Sequence, residues 1–432
     1  MKLWQARLAF GSPDFSISLL FATVNGWFLF YLVSIIGIPP LIAGAVFVFG
    51  RFLDGLLDPL VGAWTDRHGR KRAIVAALPV TASAFVALWA VPNLFDNSVA
   101  QILAIMVTFS VFALAYTFVS VPRLGMLPEF VPEYHGRTGQ AGVDMAFVFI
   151  AVLISSVAFP TVVAFLSETK ALSESQAGVW IGVTVGIATL AVLAYLPFIA
   201  LIHEPDRQSS QTARPKTIVV LLAFSKTTGA VRTLALFGCS VLALVTLQSI
   251  LPFWLESGPG ITAGGQSVVL LIIFLATLVS LPVWAYLSRL YGKAAGLCIG
   301  VCAFLTGIGI AMLLPTGSGL NTQLVLASLI AGTGAGALSM FPWSMIPDIA
   351  ETHSNRMKTP VQGTTTAAFT MTNKLAAATA LFLNSMILQV RADLTWAAEA
   401  PEVLLALPAI FAIIACTIVF PMCITGTPTR GA

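Results

Sequence analysis

Charge is what this sequence lacks. Lys, Arg, Asp and Glu make up 9% of its 432 residues and 58% of the chain is hydrophobic, whereas roughly 25% of an ordinary soluble domain is charged. A soluble protein so poor in charge could not keep its surface out of aggregates, which excludes a large soluble enzyme and predicts a polytopic membrane protein. Cysteine is scarce as well. Cys239, Cys298, Cys302, Cys416 and Cys423 all fall in apolar runs without metal-ligand spacing, where a thiol acts as a small hydrophobe. The four histidines, His68, His135, His203 and His353, lie in polar connecting segments, so no intramembrane histidine relay is expected. No "GxxxxGK[ST]" occurs, which argues against an ATP-driven pump. Helix-embedded aspartates without a nucleophile, metal set or cofactor loop beside them argue against an enzyme. The net charge of +4 follows membrane topology and gives no sign of a nucleic-acid partner. The opening "MKLWQARLAF" is expected to run straight into the first span without a cleavable signal peptide.

What is present is length in apolar runs. A spanning helix needs about 20 apolar residues, and stretches bounded by Pro, Gly and charge predict twelve. Their approximate spans are 10–34, 38–64, 73–92, 98–127, 140–166, 176–201, 229–255, 263–288, 293–315, 320–346, 362–390 and 402–425. The longest polar connection lies near the middle. It predicts a six-helix bundle over 1–201, a central cytoplasmic loop over 202–228 and a second six-helix bundle over 229–432. With the N-terminus inside, eighteen of the 22 Lys and Arg residues fall in cytoplasmic segments and only Lys170 and Arg391 outside, Arg51 and Lys374 lying within the membrane. That asymmetry places both termini in the cytoplasm and the protein, multi-pass, in the cytoplasmic membrane.

The halves echo each other. "TDRHGRK" after helix 2 answers "LSRLYGK" after helix 8, and "VPRLGMLPEF" ending helix 4 answers "FPWSMIPDI" ending helix 10, at closely matching offsets. The expected fold is therefore an all-α integral membrane protein with 12 transmembrane helices in two parallel-repeat six-helix bundles. Such repeats build transporters that hold substrate near the midplane.

Three formal charges interrupt helix 2. In "FGRFLDGLLDPLVGAW", Arg51, Asp54 and Asp58 stand at i, i+3 and i+7 on one helix face. They span roughly 10 Å around the bilayer centre at 1.5 Å per residue, where each charge costs about 2.5–3.5 kcal/mol. Two bare carboxylates one turn apart repel, so either one is protonated or a cation sits with them.

"GAWTDRHGRK", Gly62 to Lys71, matches the loop between helices 2 and 3 of major facilitator transporters. "FGSPDF", "RFLDGLLDP", "PEFVPEYHGR", "WSMIPDIAE" and "TNKLA" together resemble the glycoside–pentoside–hexuronide:cation symporters of that superfamily, the melibiose permease-like family, with eukaryotic lysophospholipid symporters as more distant relatives. The resemblance implies the major facilitator fold and a cation site at Asp54 and Asp58 with the helix 4 hydroxyl of Thr117, open to H+ or Na+ and needing no other cofactor. It implies substrate contact for Asp14 and a cavity-facing place for Lys374, and a gating role for Asp66, Arg67 and Arg70 in the loop. Arg51 reads as a structural charge partner. Asn25, Trp27, Tyr31 and Tyr116 are further candidates for the cavity wall, while Trp254 and Trp284 near helix ends suggest the membrane interface. Gly332, Gly334 and Gly336 read as close helix packing rather than a phosphate loop.

Two departures from the family pattern matter. Leu57 precedes Asp58 where sodium-using members commonly carry a polar residue, and a hard cation needs several oxygens; this tilts the reading toward a proton. Ser120 replaces the helix 4 aspartate that binds galactoside hydroxyls, and Arg123 with Asp144 look like a swapped ion pair bridging helices 4 and 5. Ser120 remains a candidate substrate residue. The expected function is a cation-coupled secondary transporter moving a small solute, sugar-like by family analogy, by alternating access. The alternative is a proton-coupled transporter or exporter of an amphipathic substrate such as a lysolipid or drug-like compound. The expected partners are that solute and the lipid bilayer, with the protein working as a monomer.

Overall fold

A computed structural model describes residues 3–95, 98–130, 134–169, 175–202, 224, 227, 229–261, 263–357, 362–393 and 400–425, apart from a minority of side chains within the helices. The described residues form twelve long helical segments in two compact units, Met1–Ser209 and Ser210–Ala432.

In the first unit, α1 runs Leu3–Thr23 and continues through two π-helical stretches, Val24–Phe28 and Tyr31–Ile35. It is followed by α2 (Pro40–His68), α3 (Arg70–Ala90) and α4 (Ser98–Phe130). Helix α5 runs Tyr134–Leu153, through a π-helical Ile154–Ala158, to Phe159–Thr169, and α6 is Gln176–Leu201. The second unit holds α7 (Ala230–Ser257), α8 (Ala263–Tyr291), α9 (Lys293–Met312), α10 (Thr322–Met357) and α11 (Gln362–Asp393). A short 3-10 turn, Pro401–Leu405, leads into α12, Ala406–Thr425.

Among the described residues, ten of these helices are long and apolar enough to cross a membrane. The remaining two are α1 and α2, the latter carrying an apolar run, Pro40–Arg51, among its described residues. These are the helices on which the sequence places Asp14 and the Arg51, Asp54, Asp58 face. Large apolar side chains on the outer faces, such as Leu103, Val279 and Phe165, are exposed, as expected where lipid rather than water is the neighbour.

The parallel repeat is visible in the packing. Within the first unit α1 packs on α5 and α6, α2 on α4, and α3 on α4 and α6. Adding six to each label gives the principal packing pairs of the second unit: α7 with α11 and α12, α8 with α10, α9 with α10 and α12. The junctions repeat too. Gly69 (φ 106°) ends α2 and opens α3, and Gly292 (φ 84°) does the same between α8 and α9. At each, the glycine N–H closes the last turn by donating to the carbonyl four residues back, Thr65 or Ser288, at 3.0 Å. Positive φ at a helix C-terminus strongly favours glycine, which explains why the two loop motifs share that residue.

Small residues let helices of the second unit touch. A Cβ at Gly334 would strike Phe304 N and lie 2.6 Å from Gly300 O, and one at Gly332 would strike Ile273 O. Backbone cannot step aside as a side chain can, and overpacking costs about 1–3 kcal/mol. Gly334→Ala should therefore lower the unfolding stability of purified protein by that amount. Gly309→Ala, whose Cβ would meet open space, should leave it unchanged; equal effects of the two would refute the packing role.

Candidate functional site

Helices α1, α2, α4 and α5 carry the first unit's charges that the sequence places within the membrane or bridging helices, Asp14, Arg51, Asp54, Asp58, Arg123 and Asp144. Arg51 is buried, and its Nη2 donates to Asn25 Oδ1 at 2.9 Å. Its guanidinium lies 4.3 Å from the centre of the Phe21 ring. A cation–π contact and a charge-assisted hydrogen bond are what a desolvated arginine needs. Asn25 sits in the first π-helical stretch of α1 and is itself buried, so it faces Arg51 inside the unit. The π-helical stretches of α1 and α5 meet. Thr23 Oγ1 donates to Ser155 Oγ at 3.1 Å, and Trp27 Nε1 donates to Ser155 O at 3.0 Å. Such stretches inside long helices often mark functional sites.

Further along α2, Asp58 is half-buried and its Oδ1 lies 3.3 Å from Thr117 Oγ1 on α4. Thr117 is fully buried, and its single hydroxyl proton also has Ala113 O within reach at 3.1 Å. The carbonyl is the nearer acceptor and the carboxylate the stronger one, so the Thr117 hydroxyl can donate to either. A carboxylate oxygen and a hydroxyl oxygen from two helices thus converge. Asp54 lies one turn earlier on α2; its side chain is outside the described residues, as are those of Leu57, Asp66 and Arg67. Arg70 opens α3 and is half-buried. Beside it, Lys71 Nζ donates to Ile202 O at 2.8 Å, tying the start of α3 to the end of α6.

The densest cluster of charge joins α1, α4 and α5. Arg123 Nη2 lies 2.6 Å from Asp14 Oδ2 and 3.1 Å from Asp144 Oδ1. The same nitrogen donates to Phe10 O at 3.1 Å, and the guanidinium sits 4.9 Å from the Phe10 ring centre. Gln140, one turn before Asp144, donates from Nε2 to Asp144 Oδ1 at 2.8 Å and to Arg7 O at 3.1 Å. Asp14 is thus engaged by Arg123 within the unit, and the Arg123–Asp144 pair bridges α4 and α5. Gln140 was not singled out in the sequence, although its i, i+4 spacing to Asp144 is a readable signal. Gly11 makes room for the cluster: a Cβ there would lie 2.9 Å from Asp144 Oδ1.

Other wall candidates are placed unevenly. Tyr116 is half-buried and stacks on Phe21 at 5.8 Å, and Ser120 is half-buried one turn further along α4. Trp27 and Tyr31 are buried in an aromatic cluster with Trp89 and Trp180, where Tyr31 Oη donates to Trp89 O at 2.5 Å. In the second unit Lys374 is half-buried on α11. Its neighbour Asn373 lines a cavity of about 130 Å³ with Ser240, Ser339 and Trp343. Trp254 and Trp284, expected at the membrane interface, are instead buried; Trp284 Nε1 donates to Thr333 O at 2.9 Å. Proximity to a helix end misleads there because a neighbouring helix covers the ring. Two further polar ties went unforeseen. Asn384 on α11 donates to Thr246 O and Ser249 Oγ on α7 at 3.0 and 2.6 Å, and Lys293 pairs with Asp348 at 2.5 Å between α9 and α10. Among the described residues no group of His, Cys, Asp and Glu could hold a metal ion.

The model of a family described as MFS/sugar transport protein matches residues 9–425. The chain belongs to that family. Among similar proteins, the uncharacterized symporter sll1374 of Synechocystis sp. is 22% identical over 89% of this chain and 85% of its own. The sodium-dependent lysophosphatidylcholine symporter 1 of Xenopus tropicalis is 21% identical over 76% of this chain and 67% of its own. Solved structures share the fold. A bacterial homolog of the human lysosomal transporter Spinster, inward-facing and unoccupied, superposes with a TM-score of 0.69 at 12% identity, over 100% of this chain and 99% of its own. The nucleoside transporter NupG does so at 0.66 and 13% identity over all of both chains. This member of the MFS/sugar transport family is therefore a multi-pass membrane transporter with the major facilitator fold, not an enzyme.

Proposed function

We propose that the protein is a cation-coupled symporter that moves its solute by alternating access of two six-helix bundles, 1–201 and 229–432, about the loop 202–228. The observation that carries this reading is the convergence of Asp58 and Thr117 at 3.3 Å on α2 and α4, one turn from Asp54. A cation or proton there relieves the repulsion between the two carboxylates and lowers the cost of their burial. Its binding in one conformation and release in the other couples the gradient to the solute. Asp66, Arg67 and Arg70 act at the α2–α3 junction to hold one conformation closed, and Arg51 fixes α2 against α1. The excess of Lys and Arg in the segments assigned to the cytoplasm supports a cytoplasmic-membrane location with both termini inside.

Two substrate classes compete. The family's description as sugar transport protein supports a glycoside or related sugar. Ser120 in place of an acidic sugar ligand, together with relatives that carry lysophosphatidylcholine in their names, supports an amphipathic, lysolipid-like solute. A thermal-shift screen in sodium against choline buffer, across glycosides, hexuronides and lysolipids, separates them. A ligand that binds only the native state raises its stability by RT ln(1 + [L]/Kd), about 2.7 kcal/mol at a hundredfold excess over Kd. Stabilisation by a sugar, enhanced by sodium, supports a sodium-coupled sugar symporter. Stabilisation by lysolipids alone, indifferent to sodium, moves the solute to the second class and the coupling ion to a proton. No stabilisation by any of them, with or without sodium, would overturn both.

A further inference from the structure

The cluster at Asp14, Arg123 and Asp144 contains one positive and two negative formal charges. Arg123 is 2% exposed, and the Asp14 and Asp144 side chains are 15% and 10% exposed. Asp14 Oδ2 and Asp144 Oδ1 both lie against the same guanidinium nitrogen, Arg123 Nη2, at 2.6 and 3.1 Å, which crowds the two carboxyl groups together. Two ionised carboxylates so placed repel strongly, and one guanidinium neutralises only one of them. Three polar atoms in the cluster also lack an aligned hydrogen bond: Asp14 Oδ2, Arg123 Nε and Gln140 Oε1. Gln140 is fully buried, and its amide is held on the cluster by the bond from Nε2 to Asp144 Oδ1.

We propose that Asp14 and Asp144 form a proton-binding dyad that holds one shared proton beside Arg123, a site separate from Asp54 and Asp58. A proton rather than a metal ion fits on three counts. It brings the cluster to neutrality. It removes the repulsion between two carboxylates crowded onto one guanidinium nitrogen. It also needs no coordination shell, whereas sodium or calcium needs about six oxygens and would lie against the arginine's positive charge. Among the described side chains, the Tyr195 phenol on α6 interacts electrostatically with Arg123 and Asp14. Tyr195 Oη donates to Val119 O at 3.0 Å, so its proton is engaged away from the dyad. Because α1, α4 and α5 meet at the dyad, gain or loss of its proton changes the charge that ties these three helices together. The inference stands beside the coupling reading and does not rest on it.

Infrared difference spectroscopy of the substrate-free protein in proteoliposomes, stepped from alkaline to acidic pH, reads the neutral carboxyl group directly through its carbonyl stretch. Beside the bands of exposed carboxyl groups and any from α2, the wild-type protein should show one band from the dyad. It should vanish in Asp14→Asn and in Asp144→Asn, and persist in Asp58→Asn. Should either dyad variant fail to fold, Gly11→Ala, which crowds Asp144 Oδ1, should shift the frequency of the same band. A band lost only in Asp58→Asn would assign the proton to α2 and overturn the dyad without touching the coupling reading. A band unmoved in Gly11→Ala and retained in the aspartate variants would overturn it outright, as would a wild-type protein with no titrating carboxyl band.

Discussion

Replacing Asp58 with Asn should abolish gradient-driven accumulation while leaving folding and membrane insertion intact. Asparagine keeps the size of the side chain and one oxygen, so the packing between α2 and α4 survives. What disappears is the charge that attracts a cation, or the group that takes a proton. Moving one charge down 100 mV supplies about 2.3 kcal/mol, enough for roughly 40-fold accumulation at 1.4 kcal/mol per tenfold. With the carboxylate gone that ratio should fall to about one. The measurement is uptake into proteoliposomes under an imposed gradient, using whichever solute stabilises the protein in the ligand screen. Exchange of labelled for unlabelled solute without a gradient should persist, because it needs binding and alternation but not coupling. Full accumulation by the variant would sink the assignment of Asp58 as a coupling residue; loss of exchange as well would make its role structural. Thr117→Ala, which removes an oxygen without a charge, belongs in the same assay as the milder test of the pair.

Arg123→Ala should have the largest effect on stability of any single change in the first unit. Arg123 is nearly inaccessible, pairs with Asp14 and Asp144, and donates to the Phe10 carbonyl. Removing it leaves two buried carboxyl groups without the cation they share and opens a cavity the size of the lost side chain. Breaking a buried ion pair from one side costs about 3–5 kcal/mol. Thermal unfolding in detergent should show a loss of that size, with reduced yield of folded protein. The informative comparison is with the double variant, Arg123→Ala with Asp144→Asn. If the penalty is the stranded negative charge, the second change should recover part of the loss, giving a coupling energy of about 0.5–3 kcal/mol. Strict additivity of the two changes would mean that the arginine acts through its packing on Phe10 and not through its charge.

These expectations differ in how much of them could be read from the chain. Membrane character, helix number and repeat follow from the spacing of apolar runs and of a few glycines and prolines. The Gly69 and Gly292 junctions confirm this, since each loop motif turned out to be one positive-φ glycine between two long helices. Helix ends were less legible. Helix α10 continues to Met357, eleven residues past the apolar run that ends at 346, and α1 begins at Leu3 rather than near 10. A hydropathy reading sees only where the bilayer would stop, whereas backbone hydrogen bonding carries the helix on into polar sequence. The π-helical stretches of α1 and α5 left no trace in composition, because a one-residue widening of a turn is set by which neighbours must meet, here Thr23, Trp27 and Ser155.

The site divides in the same way. By itself the sequence determined that Arg51, Asp54 and Asp58 share a helix face in apolar surroundings, since 3.6 residues per turn and the high cost of a buried charge are local facts. It also determined that Arg123 and Asp144 were out of the family's pattern. It did not determine that Asp14 joins them. Residues 14, 123 and 144 belong to three helices, and the rotation of each about its own axis depends on packing along its whole length. That rotation aimed Asp14 and Asp144 at one guanidinium, drew Gln140 onto Asp144, and used the missing Cβ of Gly11 to let α5 close on α1. Which charges a membrane protein contains is written in the chain; which of them touch is decided only when the helices pack.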